Sequence, residues 1–174
     1  MPADRGRTPA VVPAWVPGAS LTVSLLGLVA AAYLTFEHFT SSSTLACPET
    51  GVVNCAKVTT SSYSSLAGIP VAVLGLMFFA AMVGLCLPAA WRRDSSALRL
   101  VRLGSVGVGV VFVLYLLWAE LFRINAICLW CTAVHVLTLL TFFVALYRLQ
   151  QQMMGEDARQ AIASARPAAK NGAA

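Results

Sequence analysis

Charge is what this sequence lacks. Of its 174 residues only 11% are Asp, Glu, Lys or Arg, whereas 59% are hydrophobic, and the mean hydropathy is +0.78. A soluble domain carries about 25% charged and about 45–50% apolar residues. Too little charge is present to cover a water-facing surface, which excludes a soluble enzyme or binding module. The chain reads as an integral membrane protein long enough for one compact bundle. Also absent is any basic stripe with interleaved aromatics, so the formal charge of +5 lends nucleic-acid binding little support.

What is present is long apolar sequence. Four stretches approach the ~20 residues a helix needs to cross a bilayer: about 19–39, 69–90, 100–122 and 124–147. The third and fourth are almost contiguous and imply a tight antiparallel hairpin. The expected fold is an all-α integral membrane protein, a four-transmembrane-helix bundle with a long loop between helices 1 and 2. Three regions follow: an N-terminal tail over 1–17, a membrane domain over 18–147 with its loop at 40–68, and a C-terminal tail over 148–174. The first tail is rich in Pro and Gly, the second is polar and Ala-rich, and both read as mobile.

Basic residues orient the bundle. Arg5 and Arg7 precede the first span, Arg92, Arg93, Arg99 and Arg102 lie at the second connection, and Arg148, Arg159, Arg166 and Lys170 follow the last span. Only Lys57 and Arg123 fall on the opposite side. Both termini are therefore expected in the cytoplasm and the 40–68 loop outside it. Arg5, Arg7 and the alanines of "VAAAY" could imitate a cleaved secretory signal. The apolar run continues past those alanines to spanning length, which favours an uncleaved first span.

Topology then sorts the five cysteines. Cys47 and Cys55 lie in the outer loop, within "CPETGVVNC", and Cys128 and Cys131 open the fourth span near the same surface, within "CLWC". Cys86 sits near the inner end of the second span, too deep to exchange with the others, and reads as a small packed hydrophobe. Outside a plasma membrane disulfides form and persist. A Cys47–Cys55 bridge alone could be a staple worth about 2–3 kcal/mol. A Cys128–Cys131 bridge would join residues already about 5 Å apart on one helix face, so it restrains almost nothing. A CxxC at a helix N-terminus does have a chemical use, because the free amides and the helix dipole favour the thiolate. Zinc is disfavoured, since a zinc frame usually has two closely spaced cysteine pairs and here one pair is wide and the other borders the bilayer.

Two dithiol pairs at one surface suggest a relay, because a thiolate attacks a disulfide through a mixed disulfide and so moves electrons by contact. The outer pair can meet a soluble partner. The inner pair lies at the depth of a lipid-soluble carrier, and the natural carrier in a membrane is a quinone.

Taken in order, "CPETGVVNC", "VTTSSY", "GIPVAVLG" and "CLWC" resemble the vitamin K epoxide reductase family in its bacterial form, over about residues 18–147. No segment is long enough for the thioredoxin-like domain fused to some relatives. The resemblance implies a four-helix bundle around a quinone pocket capped by the outer loop, in a bacterial plasma membrane. It implies that Cys131 is the active-site cysteine beside the quinone (menaquinone or a related one) and that Cys128 is its partner. Cys47 would exchange with an extracytoplasmic thioredoxin-like protein, Cys55 would pass electrons to Cys128, and Ser61 would lie near the pocket. The activity expected is oxidation of that partner's dithiol coupled to quinone reduction, in support of extracytoplasmic disulfide formation.

His135 shares a helix face with Cys131 and Cys128 and is a candidate quinone hydrogen-bond donor, or else a histidine bonded to a neighbouring helix. Glu37 and His38 end the first span where solvent is expected to reach them. Glu120 and Arg123 are spaced to pair across one helical turn. Trp130 suits the membrane interface. Three rivals remain: vitamin K epoxide or quinone reduction as the main role, the other four-helix class of disulfide oxidase, and a non-enzymatic scaffold with a stapled loop. The second carries its CxxC near the first outer loop, the reverse of the order here.

Overall fold

The computed structural model describes residues 15–40, 46–87, 90 and 96–171. Residues 1–14 of the N-terminal tail, with Arg5 and Arg7, lie outside them, as do 41–45 of the loop and Arg92 and Arg93. Helix α1 spans Trp15–Phe39 and buries Ser20, Ser24, Gly27, Ala31 and Leu34 along one side. Small residues at that spacing let a second backbone come close, the usual way apolar helices associate where lipid offers no hydrophobic drive. The neighbour is α3 (Val71–Cys86), and the ring of its Phe79 lies directly on Gly27.

Between them the loop is structured: α2 covers Cys55–Thr59, a 3-10 turn covers Ser62–Ser64, and β1 (Ser65–Leu66) pairs with β2 (Ile69–Pro70) in a small antiparallel hairpin. Its two turn residues, Ala67 and Gly68, have φ of 51° and 82°, the left-handed geometry of a tight hairpin turn.

Helix α3 is Val71–Cys86, 16 residues, shorter than the stretch 69–90 expected to span. Pro70 belongs to the hairpin, and Leu87 is extended (ψ 145°) because the residue before a proline, here Pro88, is driven out of helical geometry. Helix α4, Ser96–Trp118, runs into a π-helical turn over Ala119–Ile124. Asn125, at φ 50°, then reverses the chain, giving the tight connection expected, and α5 runs Leu129–Asn171. The C-terminal tail is helical through Asn171; its Ala, Gln, Glu and Arg are strong helix formers.

Among the described residues, three helices are long and apolar enough to cross a membrane: Trp15–Phe39, Ala97–Ile124 and Leu129–Gly155. Helix α1 packs on α3 and α5, and α4 on α5. Val29, Met77, Val108, Val111, Phe122 and Phe143 point outward and are exposed, as suits a surface facing lipid. Inside, Met82, Cys86 and Val106 form one core cluster. A second, at the loop end, contains Cys55, Val58, Ile124, Ala126 and Cys128.

Candidate redox site

The second cluster is where the loop meets the bundle. Backbone pairing straps them together: the Asn54 N–H donates to the Ile127 carbonyl (3.1 Å) and the Ile127 N–H to the Val52 carbonyl (2.9 Å). Asn54 also caps α2, its side-chain oxygen accepting the Lys57 N–H at 2.8 Å. Cys55, the first residue of α2, is thereby held in the same buried cluster as Cys128, and both are 0% exposed. Cys47 and Cys55 are joined as a disulfide with Cα atoms 6.1 Å apart. Trp130 fastens the other end of the loop. Its indole N–H donates to the Ala46 carbonyl at 3.0 Å, its ring packs on Tyr33 at 4.6 Å, and the Tyr33 hydroxyl accepts the Ala46 N–H.

The cap at Asn54 yields a direct prediction. An N-cap of this kind is worth about 1 kcal/mol, a factor of about 5 in local opening. Asn54→Ala should therefore speed hydrogen exchange of the amides over 55–59 about fivefold relative to those of α4, read by mass spectrometry.

Cys128 and Cys131 are free thiols. Cys128 occupies the residue just before α5, and its sulfur accepts the Cys131 N–H at 3.3 Å, as a capping oxygen would. Its thiol is held below the ordinary cysteine value, first by a hydrogen bond with the Cys131 thiol and then by the N–H groups of Cys131 and Trp130; burial and the Glu120 carboxylate act in the opposite sense. The first amides of the helix thus favour the charged sulfur, the physical reason a CxxC is reactive there.

Beside this pair a cavity of about 720 Å³ opens between α1, α3, α4, α5 and the loop, and its walls include Cys131, Ser61, His135 and Phe78. Cys128 and Cys55 do not line it. Ser61 donates to the Val58 carbonyl at 2.8 Å. His135 is 3% exposed, and its Nδ1 has no hydrogen-bond partner among the described residues. An apolar pocket of this size with a few convergent polar groups is the usual form of a small-molecule site. No group of three or more His, Cys, Asp or Glu side chains among the described residues is placed to hold a metal.

Residues 19–146 match the model of the vitamin K epoxide reductase family. The chain belongs to that family. No curated protein matches it. Membership in the vitamin K epoxide reductase family makes it a membrane-bound oxidoreductase working on thiols, with which the Cys47–Cys55 disulfide agrees.

Several expectations need correction within this frame. Glu37 is not solvated: it is 3% exposed, and with His38 it lines the cavity. Glu120 and Arg123 do not pair. The π-helical turn changes the angular spacing along the helix, so Arg123 points outward, donating from Nε to the Tyr63 hydroxyl at 2.8 Å and lying over Trp118. Glu120 instead turns inward, 4% exposed, and its carboxylate accepts the Cys128 N–H. Trp130 does more than sit at an interface, since it holds the loop. Cys86 is buried as expected, with the Ser24 hydroxyl 3.9 Å from its sulfur. Glu120 is the residue the sequence reading undervalued. Its signal was a carboxylate inside an apolar span, masked by a basic residue three positions on.

Proposed function

We infer that this protein is a thiol–quinone oxidoreductase, with α1, α3, α4 and α5 as a four-helix membrane bundle over residues 18–147. In this reading both termini are cytoplasmic, the loop faces outward from a bacterial plasma membrane, and the reduced partner is an extracytoplasmic thioredoxin-like protein. One observation carries it: Cys55 and Cys128 are buried together in one cluster while Cys131 lines the adjoining cavity. Electrons then have a contact path from the loop to the cavity without crossing lipid.

The residues divide the work by position. Cys47, only half-buried, is the member of its pair open to a partner thiol. Its attack by that thiol frees Cys55, which faces Cys128 across the packed cluster. The partner's second thiol then releases Cys47 and leaves with the disulfide. Once a quinone has oxidised Cys128 and Cys131 to a disulfide, the Cys55 thiol attacks the Cys128 sulfur and frees Cys131, and Cys47 displaces Cys128 from Cys55. This restores the outer disulfide and returns the inner pair to thiols for the next quinone. The cavity suits a quinone: it is largely apolar, and His135 offers a buried ring nitrogen in need of a partner. A quinone bound there accepts two electrons and two protons. Ser61 holds the loop wall of the cavity in place through Val58.

Purified protein mixed with a reduced thioredoxin-like oxidase and a menaquinone analogue should form quinol, followed by its ultraviolet absorbance, with one disulfide gained by the partner per quinol. Absence of quinol under those conditions would refute the reading in favour of a stapled scaffold.

A further inference from the structure

Glu120 has no place in the relay as described, yet it is the carboxylate nearest its chemistry. It lies in a π-helical turn, a distortion frequently found at functional sites. Its carboxylate accepts the Cys128 N–H, which puts it beside the start of the helix that carries the CxxC pair. It also lines the cavity together with Cys131 and His135. Arg123, the cation spaced to neutralise it, is engaged by Tyr63 on the other side of the turn. Among the described residues, the other ionisable groups around it are Cys128 just before α5, Cys131 and His135 in α5, Glu37 and His38 in α1, and Tyr63 in the loop. None of these is a cation fixed by an ion pair to Glu120.

Proton balance gives this carboxylate a task. Oxidation of Cys128–SH and Cys131–SH to a disulfide breaks two S–H bonds, forms one S–S bond and releases two electrons and two protons. The acceptor takes up both electrons, and its two carbonyl oxygens take up the two protons. Cys131 lines the cavity and can give its proton to an acceptor there. Cys128 is fully buried outside the cavity, so the proton it loses on becoming the reacting thiolate needs a carrier. We propose that Glu120 is that carrier, taking the Cys128 proton as the inner disulfide forms and delivering it into the cavity that both Glu120 and Cys131 line.

The inference rests on the thiol–quinone reading, and its test separates the two. Glu120→Gln keeps an oxygen to accept the Cys128 N–H but removes both the proton site and the negative charge. Two measurements should move in opposite directions. Quinol formation should fall about 100-fold, the usual scale of a lost general base. Alkylation of reduced Cys128 by iodoacetamide at neutral pH, measured without quinone by peptide mass spectrometry, should rise about threefold or more, since the charge opposing the thiolate is gone. Glu120→Asp should recover about a tenth or more of the wild-type quinol rate. Wild-type turnover in Glu120→Gln would overturn the proposal, as would a joint fall in turnover and alkylation, which would mark a structural role. Failure of the wild-type protein itself to form quinol would instead overturn the thiol–quinone reading and this inference with it.

Discussion

Cys131→Ala should lower quinol formation by about 1,000-fold or more, the scale on which loss of a reacting nucleophile removes catalysis. It should also change which covalent species accumulates. Cys55 and Cys128 are both fully buried in one cluster, so exchange between them does not require Cys131. Resolution of the resulting Cys55–Cys128 bridge does require it, because Cys131 is the thiol next to the Cys128 sulfur. In Cys131→Ala the Cys128 thiol can attack Cys55 of the Cys47–Cys55 disulfide and release Cys47. Non-reducing peptide mass spectrometry of the variant, before any reduction by the partner, should therefore find Cys55 linked to Cys128 and Cys47 free. Quinol formation at the wild-type rate would remove Cys131 from its assigned place. A Cys47–Cys128 bridge would reverse the order of the outer pair.

The geometry behind that prediction was partly legible in the sequence. Long apolar runs announce membrane helices by length alone, and α1, α4 and α5 follow them. The position of CLWC at the start of the last run placed Cys128 at a helix N-terminus, where the structure has it. Spacing could not show the strap between Asn54 and Ile127, since backbone pairing leaves little trace in side-chain identity. Nor could it show that Glu37 is buried, because burial at a helix end depends on what the loop folds over it. The Glu120–Arg123 spacing misleads for a sharper reason: an i,i+3 rule assumes α-helical periodicity, and this turn is π-helical. The end of α3 could have been foreseen from Pro70 and Pro88, whereas the length of α5 depends on propensity summed over a segment too polar to register as a span.

Separating α1 from α3 should be the most damaging change outside the redox residues. The Phe79 ring, 0% exposed, fills the space a side chain at Gly27 would need, and Phe78 stands edge-on to it at 5.0 Å. Retreat of the ring is blocked by its neighbour on one side and by the bundle on the other. Gly27→Val should thus cost about 1–3 kcal/mol by overpacking. Phe79→Ala should cost about 3 kcal/mol, near the low end for buried phenylalanine, because lipid offers the unpacked helix an equally apolar surface. The two effects should not add. With the ring gone, the valine at 27 occupies the vacated space, so the double variant should be less destabilised than the sum by about 1 kcal/mol or more, as contacting residues generally are. Alkylation of Cys86 in detergent during heating would report it, since that thiol is buried and becomes reactive only when the bundle opens. Strict additivity would mean that Gly27 and Phe79 act through different contacts, and the close seam between α1 and α3 would lose its explanation. Because Phe79 also borders the cavity, Phe79→Ala should in addition raise the quinone KM, whereas Cys55–Cys128 exchange, between two sulfurs that do not line the cavity, should keep its rate.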